Sequence, residues 1–229
     1  GLNDATLSGV DFRVSSVEHL PWLTPDGGLD CILGFDIFNQ FAVEIDHKAK
    51  KAVFYRKLEN SQIEEALAVK LFKSKSSSLR RSAFLELQLT KDRPPISGLF
   101  VLDTGFRSAL LYRLNKGQIL EQGDEVIISG IQGVSKEKRI RAEKILIGAH
   151  IFSEPYINMI ATSHRKIEEL GFFGTSLLNK GRYLVDSDES RLYFFPYQVS
   201  PSWFAKSARQ SFYITLSLGY PIVYQQNIN

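Results

Sequence analysis

Three features of this 229-residue sequence predict a mainly β protein with few short helices, organised as two related units. One is a long internal repeat. The others are short apolar runs of strand character and the Gly- or Pro-marked turns that separate them.

The repeat comes first because it sets the architecture. Cys31-Ile-Leu-Gly-Phe-Asp-Ile-Phe-Asn-Gln-Phe-Ala-Val-Glu-Ile-Asp46 aligns without a gap on Gly171-Phe-Phe-Gly-Thr-Ser-Leu-Leu-Asn-Lys-Gly-Arg-Tyr-Leu-Val-Asp186, at an offset of 140. Gly34 meets Gly174, Asn39 meets Asn179 and Asp46 meets Asp186, and Lys51-Ala-Val-Phe54 continues onto Arg191-Leu-Tyr-Phe194. Each copy reads as an apolar step ending in glycine, a short amphipathic helix, a strand, a polar turn (47–50 or 187–190) and a second strand. Upstream, Leu7-Ser-Gly9 corresponds to Leu146-Ile-Gly148 with one residue inserted.

Between the copies, Ile63, Leu67 and Leu71 recur at helical spacing behind a capping-box-like Ser61…Glu64. That pattern predicts a helix over 60–71. The serine-rich Lys73–Arg81 stretch follows as a linker. Strand-like runs at Phe84–Leu89, Leu99–Leu102, Val126–Ser129 and Ile140–Ile147 come next, separated by Pro94-Pro95, Gly117, Gly123 and a Gly130–Gly133 turn. The predicted organisation is residues 1–57 as the closing half of a first unit, 58–80 as helix and linker, 81–197 as a second unit, and 198–229 as a tail. In the tail, Ser211–Leu218 followed by Gly219-Tyr-Pro221 resembles the opening strand Ala83–Leu89 and its Pro94-Pro95 turn.

Composition excludes several function classes. The sequence is 44% hydrophobic and 23% charged, without an apolar run that spans a bilayer, so no membrane span is expected in this stretch. A net charge of +3 is small, and Lys48, Lys50, Lys51, Arg80 and Arg81 lack interleaved aromatics. They read as solvated surface, and no nucleic-acid partner is expected. Cys31 is the single cysteine, which removes internal disulfides and multi-cysteine metal sites. His19, His47, His150 and His164 are scattered singly, without the pairing that puts two imidazoles on one metal. The first residue is Gly1 and no signal-peptide pattern follows it, so a processed or engineered start is expected and any export signal would lie upstream. The compartment stays open, with export to a periplasm or beyond the cell as the working expectation.

The candidate chemistry sits at Gly98-Leu-Phe-Val-Leu-Asp103-Thr104-Gly105, an aspartate at the end of a buried apolar strand followed by a hydroxyl and a glycine. Asp103 lies 71 residues before Gly174, and the Gly130-Ile131-Gln132-Gly133 turn falls between them. The same spacing counted back from Gly34 falls ahead of Gly1. No Asp-Thr-Gly or Asp-Ser-Gly occurs in residues 1–57, where Asp4, Asp11, Asp30, Asp36 and Asp46 read as turn or cap residues.

This order resembles the aspartic proteases of the pepsin and retropepsin type, the bacterial retropepsin-like version most of all. In those proteins an opening strand leads to Asp-Thr-Gly, a flap hairpin, an apolar-apolar-Gly step, a short helix and a closing hairpin. Residues 80–197 follow the whole order and residues 7–57 its later half. The resemblance implies acid-protease barrel lobes with a cleft between them, and an aspartic peptidase acting on peptide or protein substrates. Asp103 would be one of two catalytic aspartates, Thr104 an anchor of the active-site loops, and Gly105 the point where backbone approaches the other lobe. Gly130, Ile131, Gln132 and Gly133 would form the substrate-covering flap tip. Ile32-Leu33-Gly34 and Phe172-Phe173-Gly174 would pass behind the catalytic loops as packing. Phe106 departs from the small residue usual after Asp-Thr-Gly and would narrow the site.

The chemistry needs two carboxylates that share one proton, because one group cannot both deprotonate a water and protonate the substrate. The second would come from a longer chain or cleaved segment, or from a partner chain. A catalytically incomplete fold that binds peptides is the alternative. No metal or organic cofactor is expected, since carboxylates activate the water.

Overall fold

The structure, a computed structural model, describes residues 35–74, 80–114, 123–130, 133–161, 168–197 and 224–226. Those residues are mainly β, with two one-turn helices and a 3-10 turn, and their strands join into one continuous mixed sheet. Leu7–Gly9, Ile32–Gly34, the serine-rich 75–79 segment and the strand-like Ser211–Leu218 lie outside them.

From the helix onward, both repeat copies form the elements their sequences predict. The first gives helix α1 (Phe35–Phe38) and strands β1 (Ala42–Asp46) and β2 (Lys51–Tyr55). The second gives α2 (Thr175–Leu178), β13 (Gly181–Asp186) and β14 (Arg191–Pro196). Their turns match at the level of single atoms. Asp46 Oδ1 accepts the Ala49 N–H at 2.8 Å, and Asp186 Oδ1 accepts the N–H groups of Asp188 and Glu189 at 3.0 and 3.1 Å. Lys50 (φ 54°) and Ser190 (φ 51°), equivalent in the repeat, both take the left-handed conformation that lets the chain re-enter the sheet.

The copies also pair with each other. β1 runs antiparallel to β13 with Val43 opposite Val185, Glu44 opposite Leu184 and Ile45 opposite Tyr183. Leu184 is the repeat counterpart of Glu44, so each strand meets its own equivalent about a central pair. A local two-fold axis therefore passes between Glu44 and Leu184, and the order β14-β13-β1-β2 is symmetric about it. Arg182 Nη1 donates to Glu44 Oε2 at 2.8 Å across this junction, and its guanidinium lies 3.8 Å from the Phe195 ring centre.

Residues 60–71 are not helical. A 3-10 turn (Asn60–Gln62) is capped by Gln62 Oε1 accepting the Glu59 N–H at 2.7 Å, two residues earlier than the expected Ser61…Glu64 box. Strand β3 (Leu67–Lys73) follows, with Val69 and Leu71 buried and Lys70 and Phe72 facing out. The i, i+4 spacing of Ile63, Leu67 and Leu71 coexists with the i, i+2 spacing of Leu67, Val69 and Leu71. Ladder bonds to β14 on one side and β4 (Arg81–Gln88) on the other decide for the strand.

The rest of the chain builds a second group of strands: β5 (Ile96–Leu102), β6 (Leu110–Leu114), β7 (Asp124–Gly130), β8 (Gly133–Arg141), β9 (Lys144–Ile147), β10 (His150–Ser153), β11 (Tyr156–Ala161), β12 (Gly171–Phe173) and β15 (Tyr224–Gln226). The single run expected over 140–147 is two strands. It breaks at Ala142 and Glu143, whose N–H groups turn away to the carbonyls of Pro155 and Gln88. The core runs through both groups, with Phe38, Ile45, Leu71, Leu85, Phe100, Leu110, Phe173 and Tyr183 wholly enclosed.

Candidate functional site

Strand β5 carries Phe100, Val101 and Leu102 into the core and ends at Asp103, as the continuous apolar run predicts. The chain then loops through 103–109 and returns as β6. Strand β12 is inserted between the two, parallel to β5 and antiparallel to β6. Both ends of the loop are thereby tied to the same strand. The Asp103 N–H donates to the Phe173 carbonyl at 2.9 Å, and the Gly174 N–H to the Ala109 carbonyl at 3.1 Å. The expectation that Phe172-Phe173-Gly174 passes behind this loop as packing agrees with this geometry.

Helix α2 completes the grip. The Phe106 carbonyl accepts the Thr175 N–H at 2.8 Å and the Thr175 hydroxyl at 3.0 Å, while the Ser176 hydroxyl donates to the Arg107 carbonyl at 2.5 Å. Gly174 is required here because a Cβ on it would stand 2.0 Å from the Phe106 carbonyl oxygen. Phe106 itself is buried, so its ring is a packing element of the loop.

Within the loop Asp103 is 7% exposed and Thr104 2%. Asp103 Oδ1 accepts the Gly105 N–H at 2.9 Å, and the Phe106 N–H donates to the Asp103 carbonyl at 3.1 Å. Burial pushes the Asp103 carboxyl up to about 7, against the N–H groups of Gly105 and Phe106 and the positive charge of Arg80, which favour the ionised form.

Arg80 and Arg81 are not the solvated surface their sequence suggests. Both are buried where β4 begins. Arg81 donates to the Arg80 carbonyl at 3.2 Å and to Asn39 Oδ1, just beyond α1, at 3.5 Å. Burial lowers the Arg81 guanidinium pKa. The field of Arg80 on Asp103 is thus an electrostatic part of the site that sequence reading assigned to solvent.

The Gly130–Gly133 turn is a hairpin, with β7 and β8 antiparallel and Gly130 opposite Gly133. Ile131 and Gln132, the two residues expected at its tip, lie outside the described residues. β8 pairs with β11, and β11 runs parallel to β6, the strand leaving the Asp103 loop. Hairpin and loop are therefore two strands apart in one sheet.

His47 and His150 each pack against aromatic rings, Tyr183 for the first, Phe152 and Phe194 for the second. Burial lowers both imidazole pKa values. Among the described residues no group of three or more His, Cys, Asp or Glu side chains is placed to hold a metal ion. None of their helices is long and apolar enough to cross a membrane.

Sequence reading missed the loop-gripping hydroxyls of Thr175 and Ser176. Their signal was present, since they stand where the first repeat copy has Phe35 and Asp36. No protein-family model and no curated protein sequence matches the chain.

Proposed function

We propose that this chain carries one half of the active site of an aspartic endopeptidase with two pepsin- or retropepsin-like lobes, Asp103 supplying one of two catalytic carboxylates. The observation that carries the reading is the Asp103 loop. A carboxyl at the end of a buried strand is held by the N–H two residues on, and the loop bearing it is clamped by a strand and a helix N-terminus. Burial favours its protonated form, as a proton-sharing pair requires. The local two-fold between the closing modules supports a second lobe, whose loop would come from a longer form of the chain or from a partner chain.

In the reaction, the ionised member of the pair takes a proton from a water as its oxygen attacks the peptide carbonyl carbon. The protonated member gives its proton to the carbonyl oxygen. Collapse of the tetrahedral species breaks the C–N bond as the amine is protonated. Thr104 anchors the loop, Gly105 fixes the carboxyl, and the Gly130–Gly133 hairpin covers the substrate. Carboxylates do this work without metal or organic cofactor.

The test is Asp103→Asn, assayed on a mixed peptide library from acid to neutral pH, in this chain and in any longer form or assembly that supplies a second loop. Wild-type cleavage strongest below neutral pH, abolished by Asp103→Asn with the fold retained, supports the reading. Equal cleavage by the variant refutes it. The other reading is a protease-fold module that binds peptides without cleaving them, since a fold does not by itself carry an activity. Tight binding of a statine-type peptide by a chain inactive in every assembly would select it.

A further inference from the structure

Asn158 occupies the middle of β11 between Ile157 and Met159, and all three side chains are buried. Its strand is paired on both edges, so that Asn158 stands opposite Leu111 of β6 and Arg139 of β8. An amide side chain at such a place costs free energy unless its polar atoms find partners, and an apolar residue would serve the sheet as well. The partners it finds are what set it apart.

Asn158 Nδ2 donates to Ser108 Oγ at 3.1 Å, and Asn158 Oδ1 accepts from Arg139 Nε at 3.5 Å. Chemistry fixes this orientation of the amide, because a guanidinium offers only donors and must meet the oxygen, which turns the NH2 group to Ser108. Ser108 lies in the loop between Asp103 and β6, whereas Arg139 lies on β8, the arm of the Gly130–Gly133 hairpin that also carries the buried Glu137. One buried side chain thus touches both the Asp103 loop and the hairpin arm. The second closing module takes the loop elsewhere: Gly174, Thr175 and Ser176 bind the carbonyls of Ala109, Phe106 and Arg107. Residue 108 falls among these three, and its side chain goes to β11 instead.

We propose that Asn158 is a positioning residue for the candidate carboxyl. Through Ser108 it fixes the later half of the Asp103 loop to β11, and through Arg139 it sets that loop against the hairpin arm. Without the tie the loop stays anchored at its ends and on α2 but gains freedom between them, and the Gly105 N–H no longer holds the Asp103 carboxyl in a single orientation. The consequence for turnover rests on the endopeptidase reading, but the tie itself does not.

The experiment follows hydrogen exchange of the Gly105 and Phe106 amides by NMR, because these two N–H groups donate to Asp103 and report on the carboxyl's surroundings. Amides of β13 serve as the measure of global opening. Ser108→Ala and Asn158→Leu should each speed exchange at Gly105 and Phe106 severalfold beyond any change in β13, the effect of one lost hydrogen bond, and the double variant should do no more than either alone. Ser108→Thr keeps the hydroxyl and should restore slow exchange. Wild-type exchange at both amides in Ser108→Ala overturns the proposal, as does equal speeding of the loop and β13, which marks a merely structural role, or an additive effect in the double variant. Should Asn158→Leu fail to fold, the Ser108 pair decides: fast local exchange with alanine and slow with threonine supports the tie, and equal exchange in the two refutes it. No turnover enters the readout, so its failure leaves the endopeptidase reading standing, and an inactive enzyme leaves the tie standing.

Discussion

The two closing modules share their described backbone elements and differ in the residues that open their helices. Both run helix, strand, left-handed turn, strand, and both place an aspartate at the turn. In the second module Gly174, Thr175 and Ser176 take hold of the Phe106 and Arg107 carbonyls. The same repeat positions in the first module are Gly34, Phe35 and Asp36, without hydroxyls in the pair after the glycine. The sheet-forming part of the module is therefore independent of its loop-gripping part. Apolar periodicity and a turn aspartate suffice for the first, whereas the second needs a glycine and two hydroxyls at fixed places.

That separation breaks down if the grip proves dispensable. The largest effect is expected at Gly174, where Gly174→Ala sets a Cβ against the Phe106 carbonyl oxygen. Roughly 3–5 kcal/mol of stability should be lost, as for other severe overpacking. Urea unfolding measures it, and a loss below about 1 kcal/mol would show that the loop is not clamped.

The second unit should also own the pH response. Asp103 and Glu137 stand at about 7 in the folded chain, above ordinary values of 3.8 and 4.5. Between those limits the folded state holds protons that the unfolded state has released. Their contribution to stability is thus complete in acid and lost as pH rises through about 7. Each group accounts for at most roughly 3–4 kcal/mol, from the size of the shift. Thermal unfolding across pH should show the decline, and Asp103→Asn and Glu137→Gln should each remove part of it. A double variant that keeps the full decline would assign it elsewhere.

At the junction of the modules, Arg182→Met should cost about 1–2 kcal/mol. It removes the ion pair to Glu44, which is nearly buried, and the stacking on Phe195, while keeping much of the stem. Measuring it together with Glu44→Gln in a double-mutant cycle isolates the pair. The smallest effect, about 1 kcal/mol, is expected for Thr175→Val, because the Phe106 carbonyl keeps its bond from the Thr175 N–H. No loss at all would make the Thr175 hydroxyl incidental to the grip.

What could be read from the sequence follows from what is local. The closing modules, the strand into Asp103 and the Gly130–Gly133 hairpin are encoded by neighbours in the chain: alternation, a turn aspartate, paired glycines. β3 was misread because Leu67 and Leu71 fit a helix as well as a strand, and only pairing with the distant β14 and β4 resolves them. Arg80 and Arg81 looked solvated because burial depends on what packs around them, here Asn39 more than forty residues earlier. Glu137 was hidden among Lys136, Lys138 and Arg139, a run whose inward face shows only once β11 lies beside it.

The symmetric junction has one consequence for assembly. On a local two-fold, a strand pairing with a second copy of itself in this register would set its central residue against an identical one. For β13 that would be leucine on leucine, a neutral contact. For β1 it would be Glu44 on Glu44, two like charges side by side at a position only 8% exposed. β1 is therefore biased against another β1 and towards β13, whose Arg182 answers the charge. A single carboxylate at the centre of the junction turns a self-complementary edge into one that tells its mate from its twin.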